Sequence, residues 1–154
     1  MENAILYARK GVQQGPNDSG QYYMLCLALH MGEEFAEAVD VCEDALGLTP
    51  FRPVNYVVQL AWALVGNKQY DEAIPLFMEV LDRSPKSFYA YLAYKGLVAA
   101  YQLTGRHADA QWAAQNAMRM NPNFSLERES RLSPVKEGPF KKRIMNAYRD
   151  AGLK

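Results

Sequence analysis

Histidine, cysteine and paired acidic residues are the side chains of this sequence whose types could do chemistry, as metal ligands, nucleophiles or acid–base catalysts. The chain has two histidines, His30 and His107, and neither has a second His or Cys at the spacing that places two ligands on one helix face. Acidic pairs such as Glu33-Glu34 and Asp71-Glu72 stand where helices are expected to begin, where negative charge interacts favourably with the helix dipole. No Gly-rich phosphate loop and no marked Ser/His/Asp set is present. The sequence therefore predicts no catalytic site, no metal and no cofactor.

The two cysteines, Cys26 and Cys42, fall at positions that the helical pattern described below places in the core. The simplest interpretation is a pair of reduced, buried thiols. A disulfide between them requires Cα atoms within about 7 Å of each other, and the sequence leaves that distance open.

Composition bounds the class of protein. The chain has 154 residues and nearly half of them are apolar, which is enough for one domain with a core. Lys plus Arg equals Asp plus Glu at 17 each, and this neutrality argues against a nucleic-acid partner. No apolar run reaches the roughly 18 residues that a transmembrane helix needs, and the N-terminus is not a secretory signal, so we expect a cytoplasmic protein without membrane insertion.

Charge is unevenly distributed along the chain. Residues 1–126 contain 9 basic and 13 acidic side chains, whereas residues 127–154 contain 8 basic and 4 acidic ones. Opposite-signed faces can meet within one molecule or between molecules, although a solvated helix face explains most charge runs.

A motif that repeats about every 34 residues organises the chain. Each copy begins with a glycine, continues to an alanine and ends at a proline twelve residues after that alanine. The copies run from Gly32 through Ala38 to Pro50, from Gly66 through Ala73 to Pro85, and from Gly105 through Ala110 to Pro122. A fixed period of this length predicts stacked helical hairpins. The small residues at Ala38, Ala73 and Ala110 are expected where the two helices of a hairpin cross closely.

Apolar residues within each copy have helical spacing, as in Tyr22, Leu25, Cys26 and Leu29. This pattern predicts helices over 2–14, 20–31, 35–48, 54–66, 70–83, 88–104 and 107–120, with irregular chain after Pro122. The three motif glycines are expected to reverse the chain through positive φ angles. Gly138-Pro139 opens a last helix, which Gly152 closes and which suits a cap over an otherwise exposed end.

The chain is therefore predicted to be a single domain over 1–154. A partial leading unit covers 1–18, three full units cover 19–52, 54–87 and 91–124, and a tail with the capping helix covers 125–154. The N-terminal helix matches the second helix of a unit whose first helix is missing. Either the chain is a fragment of a longer array or another chain supplies the partner helix, and an exposed apolar face is expected there.

These residues resemble the tetratricopeptide repeat (TPR) family. The likeness covers Ser19 to Pro122 and is carried by the run Tyr70-Asp-Glu-Ala73-Ile with Phe77 and Pro85, and by the third copy of the motif. The resemblance implies an all-α fold, a right-handed α-solenoid of stacked antiparallel helix pairs with a C-terminal capping helix. It also implies a protein that is not an enzyme and that binds a protein or peptide partner.

The last third is similar to the tails of bacterial multidomain signalling proteins that carry an adenylate/guanylate cyclase-like domain. The residues that carry this likeness are Asn121-Pro-Asn-Phe-Ser-Leu-Glu127 and the ending Arg149-Asp-Ala-Gly-Leu153. The stretch from Ser133 to Gly138 departs from the expected Lys-Asp-Pro pattern. The resemblance implies a non-catalytic regulatory piece of a larger signalling protein.

In the TPR family the first helix of each hairpin lines a concave groove. The positions that match are Tyr23, Leu27, His30 and Met31 in the first unit, Asn55, Val58, Trp62 and Val65 in the second, and Lys95, Ala99 and Gln102 in the third. The set is apolar and aromatic, so the predicted partner is an amphipathic helix or an extended peptide held by Trp62, Tyr23 and Val58. Family members that grip a C-terminal carboxylate use Lys and Asn at these positions, and because only Lys95 matches, that ligand is rejected.

Two alternatives remain open at this stage. The terminal helices could fold over the groove, in which case its residues are simply core. The N-terminal helix could instead drive self-association through residues such as Ile5 and Leu6, giving a homodimer or a scaffold.

Overall fold

The computed structural model describes all 154 residues and contains nine α-helices and no strands. The helices are α1 (Glu2–Gln14), α2 (Ser19–Met31), α3 (Phe35–Gly47), α4 (Val54–Gly66), α5 (Tyr70–Arg83), α6 (Phe88–Leu103), α7 (His107–Met120), α8 (Leu126–Leu132) and α9 (Pro139–Asp150). The helices predicted from the periodicity are confirmed to within a residue at each end.

The helices form a solenoid of stacked hairpins, as predicted. The pairs α2–α3, α4–α5 and α6–α7 are the three full units, and each hairpin packs against the next along one continuous core. We call α2, α4 and α6 the first helices and α3, α5 and α7 the second helices. The crossing residues Ala38, Ala73 and Ala110 have no exposed surface, because the two helices of each hairpin approach closely at these positions. Helix α1 packs on α2, and its assignment to a partial leading unit over 1–18 stays a prediction.

The turns between first and second helices differ from the prediction in two of the three units. Gly105 has the expected positive φ of 78°. In the other two units the left-handed residues are Glu33, with φ of 65°, and Lys68, with φ of 62°. The motif glycines of those units, Gly32 and Gly66, come just before these residues; Gly32 has an αR backbone and Gly66 ends α4.

Close packing explains the glycine at the end of α4. A Cβ atom on Gly66 would overlap the ring of Phe35, which begins the second helix of the preceding unit. Glycine is therefore required here by the approach of a neighbouring side chain.

The state of the two cysteines also differs from the prediction. Both are buried as predicted, but the structure joins them in a disulfide, with Cα atoms 5.3 Å apart. The bond links the middle of α2 to the middle of α3, within one hairpin. In the second unit the positions equivalent to Cys26 and Cys42 are Ala61 and Phe77, which are both buried. The expectation of reduced thiols is wrong in this structure, because the hairpin brings the two residues within bonding range.

The segment after Pro122 contains a short helix that the periodicity did not predict. Helix α8 begins after Ser125, whose hydroxyl accepts a hydrogen bond from the backbone N–H of Arg128. The N–H of Leu126 donates to the carbonyl of Lys154 at 3.1 Å, so the start of α8 is held against the end of the chain.

The last helix packs on α6, the first helix of the third unit, and on α8, as expected of a C-terminal cap. Helix α9 also extends across the concave face. The ring centroid of Phe140, at the start of α9, is 4.7 Å from the ring centroid of Phe35 in the first unit. Near its end, the ring of Tyr148 is 6.4 Å from that of Phe124, which follows the third unit. We call residues 125–154 the tail; its α9 covers the concave side of the solenoid.

Candidate functional site: the groove along the first helices

The groove is the concave side of the three first helices. Because successive hairpins stack in register, α2, α4 and α6 run parallel and present corresponding positions to the same side. The tail divides this groove into a covered part, beneath α8 and α9, and an open part towards the N-terminal ends of the first helices.

A cavity of about 240 Å³, partly open to solvent, lies between the first helices and the tail in the covered part. Five of the predicted groove residues line it: Leu27, His30, Met31, Trp62 and Lys95. The tail contributes Val135, Phe140, Ile144 and Met145 among others, and most of the lining is apolar. The cavity therefore forms where the tail covers the groove without filling it.

Trp62 sits at the middle of this arrangement. Its ring is half-buried and packs edge-on against Phe77, with ring centroids 5.8 Å apart. One side of the indole thus contacts the core of its own hairpin while the other faces the cavity.

The open part of the groove is aromatic. Tyr23 of α2 stacks on Tyr56 of α4 with ring centroids 4.3 Å apart and nearly parallel planes. Burial raises the pKa of the Tyr23 hydroxyl, and the nearby Asn55 amide acts in the opposite direction. Tyr89 lies close enough to raise the same pKa and is itself 37% exposed. These residues therefore present aromatic surface together with polar hydroxyl and amide groups.

His30 joins the first unit to the tail. Its imidazole is buried and meets the rings of Phe35 and Phe140 edge-on, at centroid distances of 5.4 and 5.9 Å. Burial lowers the pKa of His30 to about 4, so the ring is neutral at neutral pH. Its Nδ1 atom has no hydrogen-bond partner. His30 therefore acts as a packing residue between the groove and α9.

Lys95 is held by the tail. Its ammonium lies 2.6 Å from a carboxylate oxygen of Glu129 in α8 and 5.0 Å from the ring centroid of Tyr91. The side chain is nearly buried. A ligand carboxylate would have to displace Glu129 to reach the Lys95 ammonium.

The remaining predicted residues are divided between core and cleft. Val58 and Val65 are 4% and 0% exposed and belong to the core, and Ala99 is also fully buried. The prediction that Val58 serves as a contact anchor is therefore corrected, because the side chain has no surface to offer. Gln102 lines a second cleft, with Lys142 and Arg143 of α9.

Sequence reasoning missed several groove residues. Gln59 and Leu92 of the first helices and Ile144 and Tyr148 of α9 line the covered cavity. The apolar stripe of α9 signalled a buried face, but nothing in its spacing says which surface buries it. No group of three His, Cys, Asp or Glu side chains gathers to hold a metal ion. None of the helices combines the length and the apolar character needed to cross a membrane.

Stacked hairpins with a groove along their first helices define an α-solenoid with the architecture of a tetratricopeptide-repeat protein. Residues 54–87, the second full unit, match the family model described as tetratricopeptide repeat. No curated protein sequence matches the chain.

Solved structures extend the likeness of fold to nearly the whole chain. MamA 41-end from Desulfovibrio magneticus RS-1 has a TM-score of 0.71 at 23% sequence identity, covering 97% of this chain and 78% of that one. The MamA RS-1 ArsTM double mutant has a TM-score of 0.70 at 22% identity, covering 96% and 85%. YrrB, described as a TPR protein with an unusual peptide-binding site, has a TM-score of 0.64 at 15% identity, covering 98% and 77%. At these identities the likeness is one of fold.

Proposed function

We propose that the chain is a non-catalytic interaction module that binds a peptide or a partner helix in the groove. The observation that carries the proposal is the half-buried Trp62, which faces a largely apolar cavity at the centre of the concave face. The open aromatic part, with Tyr23 and Asn55, extends the surface along which a partner can lie. Binding energy in such sites concentrates on aromatic anchors in partly enclosed pockets.

The cellular setting is a further part of the proposal. The likeness of the last third to the tails of cyclase-linked proteins supports a role as the regulatory C-terminal part of a larger bacterial signalling protein. A cytoplasmic location stays a prediction, and the disulfide does not favour it, because such bonds persist mainly in oxidising compartments.

A matched pair of tryptophan variants tests the groove. Peptides selected from a displayed random library on the wild-type chain should bind Trp62→Ala about 30-fold more weakly, a loss of about 2 kcal/mol. Trp112→Ala is the control, because Trp112 is 43% exposed on the second helix α7 and does not line the groove. Circular dichroism checks that both variants keep their helices. Equal losses in the two variants, or no selected peptide, would contradict the proposal.

Self-association is a second candidate function, favoured by the surface of α1. Leu6 and Tyr7 are 51% and 71% exposed, and Ala4 is exposed where the corresponding alanines of the full units are buried. Ile5 instead packs against Gly32 and the core, so making it polar would disturb the fold. The sharper test is Leu6→Glu with Tyr7→Glu, followed by analytical sedimentation. A dimer that these changes dissociate supports assembly through α1, whereas a wild-type monomer at high concentration rules it out.

A further inference from the structure

Resting on the proposed function, we infer that the groove's partner is a short basic amphipathic helix that takes the place of α9. Helix α9 is then an internal competitor, a segment of the chain that occupies the site until the partner displaces it. The tail shows the chemistry of that partner, because it is the one occupant of the groove that the structure contains.

The first argument is the way α9 is seated. Phe140, Ile144, Ala147 and Tyr148 recur at a spacing of three or four residues and are almost fully buried. The opposite face is exposed, with Lys142, Asn146, Arg149 and Asp150 in solvent. Lys141 is also buried, with its ammonium paired to Glu137 of the tail, so the buried face is apolar apart from this ion pair. An apolar stripe laid into a groove is the geometry by which amphipathic helices are recognised.

The second argument is the charge of the groove's edge. The parallel first helices end on the same side, and each helix end carries partial negative charge on its unpaired carbonyls. Two cations of the tail meet these ends: Lys136 Nζ donates to the carbonyl of Gly32 at 3.2 Å, and Arg143 Nη2 donates to that of Gly66 at 3.2 Å. Gly32 follows α2 and Gly66 ends α4. The groove therefore favours an occupant with cations at this edge.

The third argument is the incomplete fit of the tail. The cavity of about 240 Å³ lies between Trp62 and the tail residue Met145, so the surrounding side chains lack contacts there. The buried Nε atom of Arg143 and the Nδ1 atom of His30 have no hydrogen-bond partner. Unfilled space and unpaired polar atoms both lower the cost of removing α9. A partner with a larger side chain at the position of Met145 fills the space better.

Binding of the tail in trans tests the inference. The probe is a synthetic peptide of residues 134–154, labelled at its N-terminus. The receptor is the full chain, either wild type or Ile144→Asp, which places a charge on the buried face of α9 and releases it from the groove. The Ile144→Asp chain should bind the peptide at least tenfold more tightly than the wild-type chain. Circular dichroism verifies the fold, and Phe140→Ala on the same face serves if Ile144→Asp does not fold.

Three variant peptides define the chemistry of the occupant. An Ile144→Asp peptide should bind at least tenfold more weakly, and Arg143→Met should weaken binding several-fold by removing the cation at the end of α4. Met145→Phe should bind more tightly than the wild-type peptide. A folded receptor variant that does not bind the peptide, or that binds all these peptides equally, overturns the inference.

Competition separates this inference from the proposed function. Library-selected peptides that depend on Trp62 should compete with the 134–154 peptide for the Ile144→Asp chain and bind that chain more tightly than wild type. If they bind both chains equally and do not compete, the groove is a binding site but α9 is not its competitor. That result would reject the inference and leave the proposed function standing.

Discussion

At the scale of single residues, His30 makes the stability of the molecule depend on pH. Its pKa is about 4 in the folded chain because the ring is buried among Phe35 and Phe140, whereas an unfolded histidine has a pKa of about 6.5. Between these values the unfolded chain binds a proton that the folded chain does not. The free energy of unfolding therefore decreases as pH falls from about 6.5 to about 4, by up to about 3 kcal/mol from this residue.

Replacing His30 by leucine should remove this contribution. Urea denaturation of His30→Leu and of wild type between pH 7 and pH 4 should show a smaller loss of stability in the variant. Hydrogen bonds from Arg9 and Arg52 lower the pKa values of Glu37 and Glu79, so protonation of these carboxylates also reduces stability in acid. This loss is the same in both proteins. His107→Leu, at an exposed position, is the control. If the free energy of unfolding falls with pH equally in wild type and His30→Leu, burial of His30 does not make stability depend on pH.

At the scale of elements, the disulfide should stabilise the first hairpin. Cys26 and Cys42 are 16 residues apart, and closing a loop of that length restricts the unfolded chain by about 3 kcal/mol in the chain-entropy model. Full reduction should therefore lower the urea midpoint of wild type, with thiol titration to confirm that both cysteines are free. The double variant Cys26→Ala/Cys42→Ala should show no response to the reductant. An unchanged midpoint in fully reduced wild type would contradict this prediction.

The same scale shows how far the sequence determines the structure. Helix positions followed from apolar spacing and from the glycine and proline punctuation, because these signals act within a dozen residues. The short α8 carries only a serine cap, Ser125, and acidic residues in its first turn. This signal was too weak to predict a helix between the prolines that flank it. The pairing of Cys26 with Cys42 depended on a distance of 5.3 Å that no local pattern encodes.

The candidate site was predictable only in part, for a related reason. The resemblance to the repeat family assigned Trp62, Leu27 and Met31 to the concave side, and in the structure all three line the cavity. Whether a groove position is open depends on what lies over it. Val58 and Val65 are covered in the core, and His30 and Lys95 are occupied by the tail. Those contacts join residues far apart in sequence, where hydrophobic periodicity carries no information about partners.

At the scale of the whole molecule, the tail changes how the repeats depend on one another. Repeats in a solenoid contact only their neighbours, so an end unit can unfold locally while the distant repeats stay folded. Here the tail follows the third unit yet packs against the first, through Phe140 with Phe35 and through Lys136 with the carbonyl of Gly32. The two ends of the array are thus linked across the groove.

Hydrogen exchange should reveal this link. In Phe140→Asp, a charge on the buried face of α9 should release the tail, so amides of α2 and α3 should exchange faster although they lie about 100 residues away in sequence. Helix α5 contributes no residue to the cavity beneath the tail, so its amides should change least. Met78→Asp, at a site on α5 that is 41% exposed, is the matched control and should leave α2 and α3 protected. If Phe140→Asp speeds exchange only in α8 and α9, the first unit is stable without the tail and the proposed coupling between the ends is absent.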